Sequence, residues 1–322
     1  MNPNFFSVFN IELLNSGIRL ATPIILAAMG GVLCEQSGIL NLALEGKMLL
    51  GAFVGIVMAY FLHNTYLGIL AAMFAGGLLG LLFAFLYHRY NVDLIILAIA
   101  INMIILELTV YVMRVMFGQV GTWTDPSIVQ IPAIHIPIIK DIPVIGQIFS
   151  GYNILVYFSW ILAIVIYIVL FHTKLGRHIR AVGENKDAAE TVGINSKRIQ
   201  TGTLVSAGML AAMGGAFLSV GHLTLFTRNI SNGRGWTAIA AVLFGVKHPI
   251  YTFFAGLFFG IAAAFAVRIQ NVTSLPPNLL QLIPNFATLA VLIFAALREK
   301  LGHTLARNRF RARLRELEKT VN

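Results

Sequence analysis

The chain has 322 residues, of which 58% are hydrophobic and only 11% charged, with a mean hydropathy of +0.82. Soluble domains carry about 25% charged residues, so an ordinary globular enzyme is excluded. One cysteine, Cys34, and no low-complexity tract exclude a disulfide scaffold and a disordered chain. The composition is that of a polytopic, all-α membrane helical bundle forming a single transmembrane domain over residues 1–322.

The net charge of +10 is a topology signal before it is a nucleic-acid signal. Of the 23 Lys and Arg residues, six lie in 172–200 and eight in the tail 298–322. Basic residues concentrate on cytoplasmic loops, and no aromatic platform interleaves with them as nucleic-acid binding requires. No nucleic-acid partner is expected; the surrounding partner is membrane lipid.

A spanning helix needs about 20 apolar residues. Runs of this kind cover 13–33, 46–63, 66–88, 93–117, 152–171, 203–222, 236–246, 250–268 and 279–297. The seventh is too short alone and requires irregular flanking chain or a half-helix. Placing Arg89, the segment 172–200, Lys247 and the basic tail 298–322 inside gives about nine spans (eight to ten), N-terminus out and C-terminus cytoplasmic. Gly51-x-x-x-Gly55, Gly76-x-x-x-Gly80 and Gly256-x-x-x-Gly260 present small faces for close helix packing.

The pentapeptide Ala-Ala-Met-Gly-Gly occurs at Ala27–Gly31 and again at Ala211–Gly215. Each copy leads into a polar interruption, one from Cys34 through Asn41 to Glu45-Gly46, the other from Gly221 through Thr227-Arg228-Asn229 to Gly235. The copies run in opposite senses, as interrupted helices of an inverted-topology repeat would. A five-residue recurrence also arises easily in an apolar chain. Irregular backbone at membrane depth must be buried in protein or line a water-filled cavity, which makes Asn41 and Glu45 candidate pathway residues.

Glu107 lies in the middle of the span 93–117, with Asn102 upstream. A mid-helix carboxylate should face the bundle interior or a cavity. Glu107 and Asn102 therefore either line a translocation pathway or form an internal hydrogen bond between helices.

Within 172–200, Asn185 can cap a short helix, Asp187 suits its first turn and Gly193 can end it in a left-handed conformation. Two turns put Ala188 and Val192 on one face with Ala189 beside them. The segment then either docks in a partner's groove or is a solvated loop.

Three blocks of residues carry a resemblance. They are Thr22–Gly31 with Glu35–Leu42 and Leu44–Met48; Leu175-Gly176-Arg177 with Arg180–Asn185, Ala188-Ala189 and Gly193-Ile194; and Gly233–Ala241 with Phe244-Gly245. In order and over about residues 20–265, this pattern resembles permeases of ABC importers. The resemblance is to the branched-chain amino acid/ribose-type superfamily, and within it to the nucleoside and simple-sugar branch.

The resemblance implies a transport subunit, not an enzyme, with no cofactor of its own because ATP is used by a partner. That partner is an ABC ATPase with two fused nucleotide domains, joined by a second, non-identical permease and an extracytoplasmic solute-binding lipoprotein. It implies a place in the bacterial cell membrane and makes 172–200 the coupling loop. Glu184, Asn185, Asp187, Ala188, Ala189, Val192 and Gly193 then form the contact with the ATPase. Leu44-Glu45-Gly46 favours nucleosides over branched-chain amino acids as cargo. Lys47 and Glu107 depart from the neutral residues usual there.

Two other classes compete. A proton-coupled secondary transporter of a small polar solute would use Glu107 and need no ATPase. A membrane enzyme would need clustered catalytic or metal-binding groups, and the eight histidines are scattered without metal-ligand spacing. No catalytic or metal site is expected.

Overall fold

The structure is a computed structural model that describes residues 11–119, 121–134 and 150–272. The expected ninth span 279–297 and the basic tail 298–322 lie outside the described residues. Among the described residues seven helices are long and apolar enough to cross a membrane. They belong to α1 (Ile11–Gln36), α2 (Leu44–Leu62), α3 (Thr65–Tyr90), α4 (Leu94–Phe117), α5 (Ile154–His172), α8 (Ser196–Ala216, extended by a π-helical segment Phe217–Leu223) and α10 (Pro249–Val272). Two short helices, α6 (Lys174–Glu184) and α7 (Lys186–Thr191), join α5 to α8.

The short seventh run is a half-helix, α9 (Arg234–Phe244). Its 11 residues rise only about 16 Å, and the irregular chain of 224–233 connects it to the end of α8. Among the described residues the strands form two ladders of two residue pairs each. β1 (Thr122–Trp123) pairs with β4 (Phe226–Thr227), and β2 (Ala133–Ile134) with β3 (Tyr152–Asn153), all antiparallel.

Polar caps set the helix ends. Asn64 accepts from Tyr66 and Leu67 N–H at 2.9 and 3.3 Å, and Asp93 from Ile95 and Ile96 N–H at 2.8 and 3.1 Å. Asn153 and Asn195 cap α5 and α8 through Val156 and Arg198 N–H. Each cap satisfies donors that the first turn leaves without an intrahelical partner.

Helices α1 and α8 are the most buried of the seven spans and cross face to face. Contact this close needs small residues. A methyl group on Gly30 would stand 2.7 Å from Ala207 Cα, and one on Gly214 would stand 2.8 Å from the Pro23 carbonyl oxygen. The glycine pairs expected to pack do so. Gly76 and Gly80 lie on the α8 backbone at Gly208 and Leu204, Gly51 and Gly55 on Ala212 and Ala216, and Gly256 and Gly260 on Ile25 and Ala21 of α1. Lipid is as apolar as leucine, so packing of this kind holds membrane helices together where burial from water does not.

Gly208 and Gly76 meet backbone to backbone, so Gly208→Val should force the two helices apart and cost about 1–3 kcal/mol. Gly202, on the same helix, has nothing within 4 Å of where a Cβ would sit. Thermal unfolding of the detergent-solubilised protein should show a lowered midpoint for Gly208→Val and none for Gly202→Ala. Equal effects at the two positions would contradict this packing.

Candidate functional site

The first interruption, between α1 and α2, is an elbow held by side chains. Ser37 and Ile39 N–H donate to the Cys34 carbonyl at 2.9 and 3.0 Å. Asn41, buried, accepts at Oδ1 from Ala43 N–H and from Lys47 Nζ, both at 3.2 Å. Lys47 is wholly buried, and its ammonium also stands 4.9 Å from the centre of the Phe83 ring. That geometry gives the cation two partial partners, one amide oxygen and one π-face. From α4, Asn102 accepts from Gly46 N–H at 2.8 Å and donates to the Leu42 carbonyl at 3.0 Å.

The second interruption, 224–233, turns through left-handed residues at Thr224, Asn229, Asn232 and Gly233. The N-cap of α9, Gly233, has no side chain to satisfy the free N–H groups of the half-helix. Glu45 of α2 does so instead. Its Oε1 accepts from Ser231 Oγ at 2.6 Å and Gly233 N–H at 2.9 Å, and its Oε2 from Gly235 N–H at 2.7 Å. A carboxylate at a helix N-terminus is favoured by the dipole as well as by these bonds. Gly235 is required for this approach, because a Cβ there would stand 2.5 Å from Glu45 backbone atoms. Arg234 folds back to donate to the Ile230 and Ser231 carbonyls at 3.1 and 3.2 Å.

Asn41, Glu45 and Asn102, expected along a pathway, thus spend their polar atoms on the breaks themselves. Glu107 stands apart from them. It is not in the interior of this chain: its side chain is 65% exposed on the outer face of α4 and paired at 2.9 Å with Arg228, itself 57% exposed. Arg228 is held there by β4 and by its N–H bond to the Gly121 carbonyl at 2.9 Å. Asn229, Asn232 and Trp236 are exposed on the same re-entrant segment. The sequence marked Arg228 and Asn229 only as part of a break. Nothing in the spacing of α4 tells which of its faces meets Arg228.

The expected cap of the short helix is present: Asn185 Oδ1 accepts from Ala188 N–H at 3.0 Å. Gly193, at φ +84°, ends the helix, and Ile194 N–H returns to the Ala189 carbonyl at 3.0 Å. Ala189 turns inward and is buried. Glu184, Asp187, Ala188 and Val192 lie exposed, Val192 by 75%.

This segment rests on the first elbow. Gly183 packs on the Gln36 backbone, Gln200 donates to the Ser37 carbonyl at 3.2 Å, and Ser37 and Thr203 share a hydroxyl bond of 2.9 Å. The far end of α9 meets the same elbow, where Lys247 pairs with Glu35 at 3.0 Å and Gln36 donates to the Lys247 carbonyl at 2.8 Å. Among the described residues no three His, Cys, Asp or Glu side chains are grouped to hold a metal.

The chain is 36% identical over 257 residues to the guanosine ABC transporter permease protein NupQ of Bacillus subtilis, covering 77% of this chain and 79% of the relative. It is 32% identical over 294 residues to the nucleoside ABC transporter permease protein NupC of Lactococcus lactis, covering 84% and 88%. Similarity also reaches the glucose ABC transporter permease protein TsgB13 of Haloferax volcanii, at 27% over 296 residues, covering 86% and 77%. No solved structure gives a significant match. Residues 13–296, which include both interrupted helices and the segment between them, match the branched-chain amino acid transport system permease components, and the chain belongs to that family.

Proposed function

We propose that the chain is the permease subunit of an ATP-driven importer of nucleosides. The observation that carries this reading is its similarity, over most of both chains, to permeases named for guanosine and for nucleosides. In this reading ATP is hydrolysed by a separate ATPase with fused nucleotide domains. A second, non-identical permease completes the channel, and an extracytoplasmic lipoprotein delivers the solute. The chain crosses the membrane nine times with its C-terminus in the cytoplasm.

The path runs along the face that carries Glu107, Arg228, Asn229, Asn232 and Trp236. Exposed polar groups and irregular backbone at membrane depth are too costly against lipid, so this face must look onto water or onto the second permease. The pairing of Glu107 with Arg228 supports a role in shaping that face rather than in carrying protons.

The inverted repeat is part of the proposal and has geometric support. The two Ala-Ala-Met-Gly-Gly copies are 184 residues apart. The same shift carries α2 onto residues 228–246, which hold α9, and α3 onto 249–274, which hold α10. It also carries the contact of Gly30 with Ala207 onto that of Gly214 with Pro23, and both contacts exist. The packing of α3 on α8 is answered by that of α10 on α1. Helix α4 is carried onto 278–301, where the ninth span is expected.

The exposed surface around α7 is the proposed contact for the ATPase, with Glu184, Asn185, Asp187, Ala188, Val192 and Gly193 as coupling residues and the buried Ala189 seating the helix beneath them. Ala188→Arg should place a long charged side chain in that contact, where overpacking and an unpaired charge each cost on the order of a few kcal/mol. The variant should insert normally yet lose ATPase association or solute-stimulated hydrolysis; wild-type uptake with wild-type ATPase binding by Ala188→Arg would sink the coupling assignment.

Cargo and energy source are tested by reconstitution. Proteoliposomes with all subunits should take up guanosine only with ATP, and glucose should not compete. The lone chain should move nothing. Uptake by the lone chain that collapses with a protonophore would establish the proton-coupled alternative. In the full transporter Arg228→Ala should reduce uptake while ATPase binding is retained. Unchanged uptake would remove Arg228 from the path.

A further inference from the structure

A groove at the bundle end that carries 172–200 has a chemistry that transport does not use. It opens between the last turns of α3 and the first turns of α8, with a volume of about 610 Å³. From α3 come Leu81, Phe85, His88 and Arg89, at the spacing of one helix face. From α8 come Lys197, Arg198, Thr201 and Gly202.

The lining changes character along its length. Leu81 and Phe85, 48% and 54% exposed, form an apolar wall on the side of the membrane interior. His88, Arg89, Lys197 and Arg198 gather at the helix ends, and the lining contains no acidic residue. Among the described residues the ion pairs are Arg228–Glu107, Lys247–Glu35 and Arg268–Glu12, so none of these cations has a carboxylate partner. Lys197 and Arg198 sit in the first turn of α8, which holds no acidic residue, at the positive end of its dipole. The buried Nε2 of His88 has no hydrogen-bond partner. At Gly202 nothing lies within 4 Å of where a Cβ would stand, which leaves the floor of the groove open.

An anion is needed at one end and a hydrocarbon at the other. We propose that this groove binds an anionic phospholipid from the adjoining leaflet, with its phosphate among Arg89, Lys197 and Arg198 and an acyl chain along Leu81 and Phe85. Basic pockets between helix ends at a membrane surface recognise lipid headgroups by this combination. A free phosphate would leave the apolar wall without a purpose. So would an acidic surface of a partner protein.

The intact transporter, purified in detergent, can be titrated with dioleoyl-phosphatidylglycerol or dioleoyl-phosphatidylcholine and its bound lipids counted by native mass spectrometry. The wild type should retain phosphatidylglycerol at about tenfold lower concentration than phosphatidylcholine, and Arg89→Gln/Arg198→Gln should reduce that preference to within about twofold. Gly202→Leu fills the groove without changing charge and should also displace phosphatidylglycerol. It remains decisive if the charge variant does not assemble. Equal retention of the two lipids by the wild type overturns the proposal, as does an undiminished preference in Gly202→Leu. Loss of the ATPase subunit from the charge variant, with the lipid preference of Gly202→Leu intact, would assign the surface to the protein partner instead.

Discussion

A helix interrupted inside a bilayer leaves N–H and C=O groups that water cannot reach, and both interruptions of this bundle answer that constraint with side chains from other elements. The Glu45 carboxylate is the clearest answer to it. Three donors from the second break converge on two oxygens of a side chain from the first half of the chain. Hydrogen bonds to a charged group contribute about 1.5–3 kcal/mol each, and a donor left unmade at that depth costs several. Asn102 does the matching work at the first break, as a neutral residue serving one donor and one acceptor.

This arrangement ties the two halves of the molecule together at their weakest points. The segment 172–200 bears on the elbow through Gly183 and Gln200, and the elbow leads directly into Glu45. Glu45 holds the start of α9, while Lys247 returns the far end of α9 to the elbow through Glu35. A displacement at the exposed short helix therefore meets a closed loop of contacts that includes the segment bearing Arg228. Tightly packed glycine contacts between α1, α3, α8 and α10 join the long helices that carry this loop.

Much of this was legible in the residues, and the reasons differ by feature. The seven described spans followed from hydropathy, and the length of the short run 236–246 called for either a half-helix or irregular flanking chain, of which the structure has the half-helix. Asn185 and Gly193 were readable because capping is local chemistry, settled within one turn. The glycine pairs predicted close packing without naming a partner, since spacing fixes a face but not what meets it. The roles of Glu45, Asn102 and Glu107 were another matter. A polar residue in an apolar helix signals that a partner exists, but the partners Ser231, Gly46 and Arg228 lie 186, 56 and 121 residues away. Those distances are closed by tertiary packing, which periodicity does not encode. Glu107 accordingly lies exposed on α4 against Arg228, a neighbour that the sequence of its own helix does not announce.

Glu45 of α2 holds the start of the half-helix α9 in place. Hydrogen exchange at the backbone amides of residues 230–236, compared between the wild type and Glu45→Gln, tests this most directly. Glutamine keeps the size but turns an N–H₂ group toward one of the donors, so exchange of Gly233 and Gly235 should accelerate by about tenfold for each 1.4 kcal/mol lost. Protection along α1 and α8 should stay unchanged. Equal protection of Gly233 and Gly235 in the two proteins would show that Glu45 does not hold α9.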